Sequence, residues 1–487
     1  MNDLPEGWTS TTLAEVGRWG SGGTPKASEP SYYGGSIPWI RSGDLQDGPI
    51  VKHIMTITNH GLENSPAKWV SNGVILIAMY GATIGKLGIT TYPVTTNQAV
   101  AFIKPHASIG VEYLFHNLRA RKAEFVALGQ GGAQPNISQE ILKSQIFTLP
   151  PLPEQRRIVA KIDSLTGKSR RARDHLDHIP RLVEKYKQAI LAAAFRGDLT
   201  REWRQNNGQI APSLHQYVAV DKCRINIRKA RQRKSAAITP SQALPSKWCW
   251  LSTDQIADDS LYSIGIGPFG SNLVRSDYRE TGIRLVFVRD IRRQNFESSN
   301  AHHVTLEKAE SLAPHSVLPG DVLITKMGDP PGDTALYPQD ASPAIITSDC
   351  IKIRPHAKLS IPAYIMYCIR ADLVKSQLHE ITKGVAQQKV NLDGFRQIAL
   401  PIPPLEEQEE IVRRVETAFA WIDRLAAEAT SARKLIDHLD QAVLAKAFRG
   451  ELVPQDPNDE PASVLLDRIR AERETAPRAK RGRKKTA

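Results

Sequence analysis

Two long stretches of the chain carry apolar residues at alternating steps of four and three. The first runs through Ile158, Ile162, Leu165, Ser169, Ala172, Leu176, Ile179, Val183, Tyr186, Ile190 and Ala193. The second runs through Ile411, Val415, Ala418, Ile422, Leu425, Ala429, Ala432, Ile436, Leu439, Val443 and Lys446. Ser169 breaks the first stripe and Lys446 the second. A mean step of 3.5 residues sustained over five heptads specifies a coiled-coil seam. Each stretch predicts a helix whose stripe spans roughly 54 Å at 1.5 Å per residue. Pro150-Pro151 and Pro403-Pro404 set the starts, and Gly197 and Gly450 stand where a C-cap would. Pro180 lacks an amide donor and predicts a kink in the first helix. One seam present in two copies predicts that the helices pack on each other, antiparallel.

Outside these stretches the period shortens and glycine and proline interrupt it often. Gly73–Met79, Asp321–Thr325, Ala99–Ile103 and Cys350–Ile353 read as buried strands, the latter two ending at Pro105 and Pro355. Helix-like stretches follow near 111–127 and 362–379. The fold class is therefore α/β (α+β): two mixed α/β domains separated by two long helices, in a pseudo-twofold repeat.

The repeat is explicit. Pro150-Pro151-Leu152-Pro153-Glu154-Gln155 matches Pro403-Pro404-Leu405-Glu406-Glu407-Gln408, and Ala194-Phe195-Arg196-Gly197 matches Ala447-Phe448-Arg449-Gly450, both at an offset of 253. Gly131 and Ala133-Gln134 match Gly384 and Ala386-Gln387 at the same offset. Each half opens alike, with Leu4-Pro5-x-x-Trp8 and Leu244-Pro245-x-x-Trp248. The organisation read from this is a first domain over 1–149, a helical region over 150–204, a basic linker over 205–243, a second domain over 244–402, a helical region over 403–475 and a basic tail over 476–487. The domains diverge more than the helices, as two readers of different targets on one repeated scaffold would.

Composition adds the partner class. The 487 residues carry a net charge of +13. Lys222–Lys234 supplies seven basic residues and Arg478–Lys485 six, with no acid in either, so these two arms account for the whole excess. Basic arms draw nucleic acid by counterion release, without sequence preference. The four cysteines are scattered with no Cys-x-x-Cys, which excludes a disulfide framework and fits a reducing cytoplasm. No apolar run reaches a bilayer span, and the acidic start Met1-Asn2-Asp3 lacks the apolar core of a signal peptide.

Catalytic motifs are absent or broken. Gly81-Ala82-Thr83-Ile84-Gly85-Lys86 is one residue short of a Walker A loop and lacks its magnesium-holding hydroxyl. Gly328-Asp329-Pro330-Pro331-Gly332 has a glycine where an amino-methyltransferase loop places its stacking aromatic, and reads as a tight turn. His302-His303 has no third ligand at metal spacing. A non-catalytic binding protein follows.

The Pro-Pro-Leu-x-Glu-Gln-x-x-Ile-Val repeat, the heptad segments and the Gln-Ala-Ile/Val-Leu-x-x-Ala-Phe-Arg-Gly-x-Leu endings resemble the specificity subunit of type I restriction-modification systems. The resemblance extends to the Leu-Pro-x-x-Trp starts and to Thr200-Arg201-Glu202-Trp203-Arg204. It implies two target-recognition domains, each reading half of a bipartite double-stranded DNA target. It implies two methyltransferase subunits and two ATP-dependent restriction subunits as partners. S-adenosylmethionine, ATP and Mg2+ would be bound by those partners and no cofactor by this chain. After Leu452 the second copy departs, with Val453-Pro454-Gln455-Asp456-Pro457 in place of the first exit. A specificity module of a bipartite-site enzyme outside type I, and a coiled-coil scaffold with no DNA target, are also compatible with these residues.

Base readout favours Arg or Lys for guanine and Asn or Gln for adenine. The polar loop carrying Gln130, Gln134 and Asn136 is a contact candidate, as is its counterpart with Lys383, Gln387, Gln388 and Lys389. The recurrence of Gly131-x-Ala133-Gln134 allows a structural turn equally well. Lys26, Tyr32, Tyr33 and Arg41 in the first domain, and Arg289, Arg292 and Arg293 in the second, are further candidates.

Overall fold

The two sequence halves fold on one repeated plan of three sheets. The computed structural model describes residues 4–129, 135–207, 242–291, 296, 301–328, 331–383 and 389–475. The chain forms two compact units: residues 1–177 with 430–487, and residues 178–429.

In the first unit a five-stranded sheet runs in the order Gly17–Ser21, Val100–Pro105, Ile75–Ala78, Leu87–Thr90, Gly48–Ile50. A second sheet orders Met55–Ile57, Tyr33–Ile40, Val94–Thr96, Trp69–Val70, with the middle pair parallel. A third pairs Thr9–Thr12 with Ile146–Leu149. The second unit repeats all three. Its first sheet orders Ile264–Ile266, Cys350–Ile353, Val322–Thr325, Thr334–Leu336, four strands among the described residues. Its second orders His303–Val304, Ile283–Val286, Ala344–Ile346, Ser316–Val317, again with a parallel middle pair. Cys249–Ser252 pairs with Ala399–Ile402. The central strands read as unbroken apolar runs because both faces are covered: Ile75–Ala78 and Val322–Thr325 are buried at every position. The stretches read as single helices near 111–127 and 362–379 are each two, Val111–Ala120 with Lys122–Leu128 and Pro362–Arg370 with Asp372–Glu380.

The first helical region is interrupted at His178. One helix covers Leu152–Asp177 and the next Ile179–Arg196, with Pro180 in the first turn of the second. There its missing N–H breaks no helical hydrogen bond. Gly197 ends the second helix at φ +82°, and its N–H reaches back to the carbonyls of Ala193 and Ala194. A short helix, Arg201–Asn207, follows. The later helical region holds an unbroken helix, Leu405–Phe448, and a separate one, Ala462–Thr475.

Within each unit the stem helices run antiparallel. In the first, Arg173 pairs with Asp437 at 2.9 Å and Asp440 at 2.6 Å, and Arg433 pairs with Asp177. In the second, Lys187 pairs with Asp423 at 2.6 Å, and Arg414 donates to the Leu199 carbonyl at 2.8 Å. The stripe is not uniformly buried. Ile158, Ile162, Ile411, Val415, Ile422 and Val443 are buried, and Leu165, Leu176, Ile179, Val183, Ile190 and Ile436 partly so. Leu425 and Leu439 are 39% and 55% exposed and Tyr186 61%, so a buried seam does not extend to them. Where the stems lie against a domain, a third layer of side chains covers them. Ile158 and Ile162 join the first unit's core with Tyr113 and Phe147, and Ile411 and Val415 join the second's with Tyr364 and Phe195. Away from the domains two helices alone close only a narrow stripe.

The same joint fastens the stem in each unit. Trp8 donates from its indole to Glu154 at 3.1 Å, and Gln455 donates to the same carboxylate at 3.2 Å. In the second unit Trp248 donates to Glu407 at 2.9 Å, joined by Thr200 at 2.7 Å and Arg204 at 2.5 Å. Both carboxylates are almost wholly buried, at 1% and 2% exposure. The sequence-repeated glycines close the joints: a Cβ on Gly450 would lie 2.3 Å from Pro5, and one on Gly197 2.6 Å from Pro245.

Candidate nucleic-acid interface

In the first unit a row of main-chain hydrogen bonds brings four distant loops side by side. Gly22 donates to Val100, Met79 to Ala99, Ile137 to Met79, and Gly81 to Pro135. The exposed edge of this row carries Thr24, Gln98, Tyr80 and Asn136. Thr24 and Gln98 bond each other through their side chains. Tyr80 is 41% exposed and forms an isolated bridge with Asn136, itself exposed. Arg41 adjoins the row, because Asn97 donates its amide to the Ile40 carbonyl.

The second unit builds the same row. Gly267 donates to Cys350, Lys326 to Asp349, and Val390 to Lys326. The isolated bridge here joins Met327 to Lys389. The backbone equivalences are therefore Gly22 with Gly267, Met79 with Lys326, Tyr80 with Met327, and Asn136 with Lys389. Gly85 and Gly332 also correspond. Each donates to the strand before its loop, Ala78 and Thr325 respectively, at φ +75° and +108°. Gly85 and Gly332 thus hold one position in two copies of a strand pair, Ile75–Ala78 with Leu87–Thr90 and Val322–Thr325 with Thr334–Leu336. Sequence reading missed this because the offset there is 247, against 253 downstream; the shared Gly-x-x-x-Gly spacing was the available signal.

The side chains on the two rows differ. Lys326 lies 4.5 Å from the Phe269 ring centre, and Phe269 is 59% exposed. Burial pulls the Lys326 ammonium below its ordinary pKa, with the Lys389 charge adding to the effect and Asp349 opposing it. Lys389 is exposed.

The remaining candidates divide. The Tyr33 hydroxyl donates to the Pro25 carbonyl at 2.7 Å and its ring meets Trp39 edge-on. Tyr32 packs edge-on against His60, at 5.2 Å between ring centres. The Arg41 main chain donates to Asp44, and its guanidinium lies 3.6 Å from the same carboxylate. Lys26 is exposed on the loop beside Pro25. Arg289 is exposed, with its guanidinium 4.7 Å from the Phe287 ring centre. Gln130, Gln134, Arg292, Arg293, Gln387 and Gln388 lie outside the described residues, as do nearly all of the basic linker and the tail. Lys383 falls in the strand Thr382–Lys383. His302 packs on the rings of Tyr278 and Phe287, and His303 lies in a strand. Among the described residues no helix is long and apolar enough to cross a membrane.

The fold is thus a duplicated sheet scaffold carrying unlike side chains on equivalent loops. The family model described as "Type I restriction modification DNA specificity domain" matches residues 5–175 and 293–429, more than half of the chain, which therefore belongs to that family. Among individual proteins, the type I restriction enzyme EcoBI specificity subunit of Escherichia coli is 26% identical over 495 residues, covering 99% of this chain and 96% of that one. The EcoDI specificity subunit of Escherichia coli is 27% identical over 393 residues, covering 78% and 80%. Two solved structures share the fold at 20% identity. One is a chain of a type I R-M system solved for its complex assembly and conformational transition, with TM-score 0.66 over 93% of this chain and 100% of that one. The other is the HsdS subunit from Thermoanaerobacter tengcongensis, with TM-score 0.52 over 92% and 98%.

Proposed function

We propose that this chain is the non-catalytic specificity subunit of a type I restriction-modification assembly. It reads a bipartite double-stranded DNA target, one half-site per unit, through the exposed rows around Asn136 and Lys389. The two stem pairs, repeated in sequence and in joint chemistry, give two methyltransferase subunits equivalent docking places, with two restriction subunits joining them. S-adenosylmethionine, ATP and Mg2+ belong to those partners. The observation that carries this reading is the duplication of all three sheets with different exposed side chains on matching backbone. A homodimer would read two identical half-sites; one chain with two unlike rows reads two different ones.

The test is a domain exchange. Residues 5–148 are replaced by the equivalent segment of a relative, and methylated adenines are mapped in a host that also carries the partner subunits. One half-site should change while the other is kept. A map with both halves altered overturns the assignment of one half-site to each unit. Cofactor-dependent methylation by the purified chain without partners would overturn the non-catalytic assignment.

A further inference from the structure

Asn136 and Lys389 occupy one backbone position in two copies. Each forms the isolated bridge to the residue after the central strand, Tyr80 or Met327. Each precedes a fully buried residue, Ile137 or Val390, whose amide is tied to Met79 or Lys326. The main chain is thus anchored while the side chain at the bridge is exposed in both units. Among the described residues neither side chain makes a hydrogen bond or ion pair that would explain its identity. The two differ in the one respect that matters for a base edge. Asn presents a donor and an acceptor side by side, whereas Lys presents donors only.

Building on the proposed DNA reading, we infer that position 136 and position 389 are equivalent base-reading posts, Asn136 for an adenine in one half-site and Lys389 for a guanine in the other. Adenine offers an N6 donor beside the N7 acceptor, which the Asn amide matches in a bidentate pair. Guanine offers O6 and N7, both acceptors, which an ammonium matches. The neighbours keep the same division. Thr24 and Gln98 pair neutral polar groups on the first row, whereas Lys326 and Phe269 pair a cation and an exposed ring on the second.

The test uses the full chain assembled with its partner subunits. The parent's methylated target is mapped first; a target that is not bipartite would refute the underlying reading and not this assignment. Asn136→Lys should then convert one adenine-containing base pair of a single half-site to guanine, and Lys389→Asn should do the reverse in the other. Asn136→Ala and Lys389→Ala, at exposed positions and with unchanged melting temperature, should each relax discrimination at one base pair by on the order of 10- to 100-fold. These truncations keep the assignment testable if an exchanged variant is inactive. Unchanged discrimination in both alanine variants overturns the inference. So does a Lys389→Ala variant that weakens binding to all duplexes equally and lowers the salt slope by about 1, because that is the behaviour of a phosphate contact.

Discussion

The joints of the two units share a buried carboxylate and an indole donor, and differ in what completes them. Glu407 meets the Arg204 guanidinium, so its charge is matched inside the unit. Glu154 meets the Gln455 amide, a neutral donor. Burial accordingly raises the Glu154 pKa, against the opposing hydrogen bonds of Trp8 and Gln455. A repeated motif fixes where a polar group is buried, while the variable residues that follow each helix decide how its charge is met. The family motif alone would predict equal joints.

The largest difference should come from substituting the two carboxylates. Glu407→Gln breaks a guanidinium pair that is mostly buried and should cost about 3 kcal/mol. Glu154→Gln loses one neutral donor and should cost about 1 kcal/mol. Urea unfolding of both variants measures the gap, and equal losses would mean that Arg204 contributes nothing specific. The glycines should behave alike instead. Gly197→Ala and Gly450→Ala each force a side chain into the left-handed region, for about 1–2 kcal/mol, before any collision with Pro245 or Pro5. Clearly unequal losses would show that the two closures differ in more than their donors.

The smallest effects are in pH dependence, and their signs are opposite. A carboxyl with a raised folded pKa favours folding when protonated. The Glu154 contribution therefore falls as pH rises from about 4.5 to its raised folded value, and Glu154→Gln should abolish that slope. Glu410, held at about 2 by Arg413 and then Arg414, acts the other way. Its contribution is present above about 4.5 and is lost as pH falls toward 2. Unfolding followed across this range, with Glu410→Gln beside Glu154→Gln, separates the two slopes.

The repeat, the stems and the four central strands were legible because each rests on local pattern: heptads, apolar runs, proline starts and glycine caps. The exposure of Leu425 and Leu439 was not, because heptad spacing says which side chains face a partner helix and nothing of whether a third layer covers them. The two loop rows were half legible. Asn136 and Lys389 lie at the detected offset of 253. Gln98, Tyr80, Lys326 and Phe269 join them only through main-chain hydrogen bonds whose equivalences drift from 245 to 250 along the chain. Tyr33 looked like a contact residue by type alone, and its hydroxyl is spent on Pro25.

The first unit holds residues from both ends of the described chain: Ala462 donates its amide to Gly7, and Leu465, Leu466 and Ile469 are buried in the core that includes Trp8 and Ile158. During synthesis this sets an order of completion. The second unit has all its parts once residue 429 has left the ribosome. The first unit, although translated first, still lacks its closing helices at that moment. At about 5–20 residues per second, the interval between residues 177 and 430 leaves the first unit without Val443, Leu444, Leu465 and Leu466 of its core for roughly 13–50 s. The half that is made first is finished last.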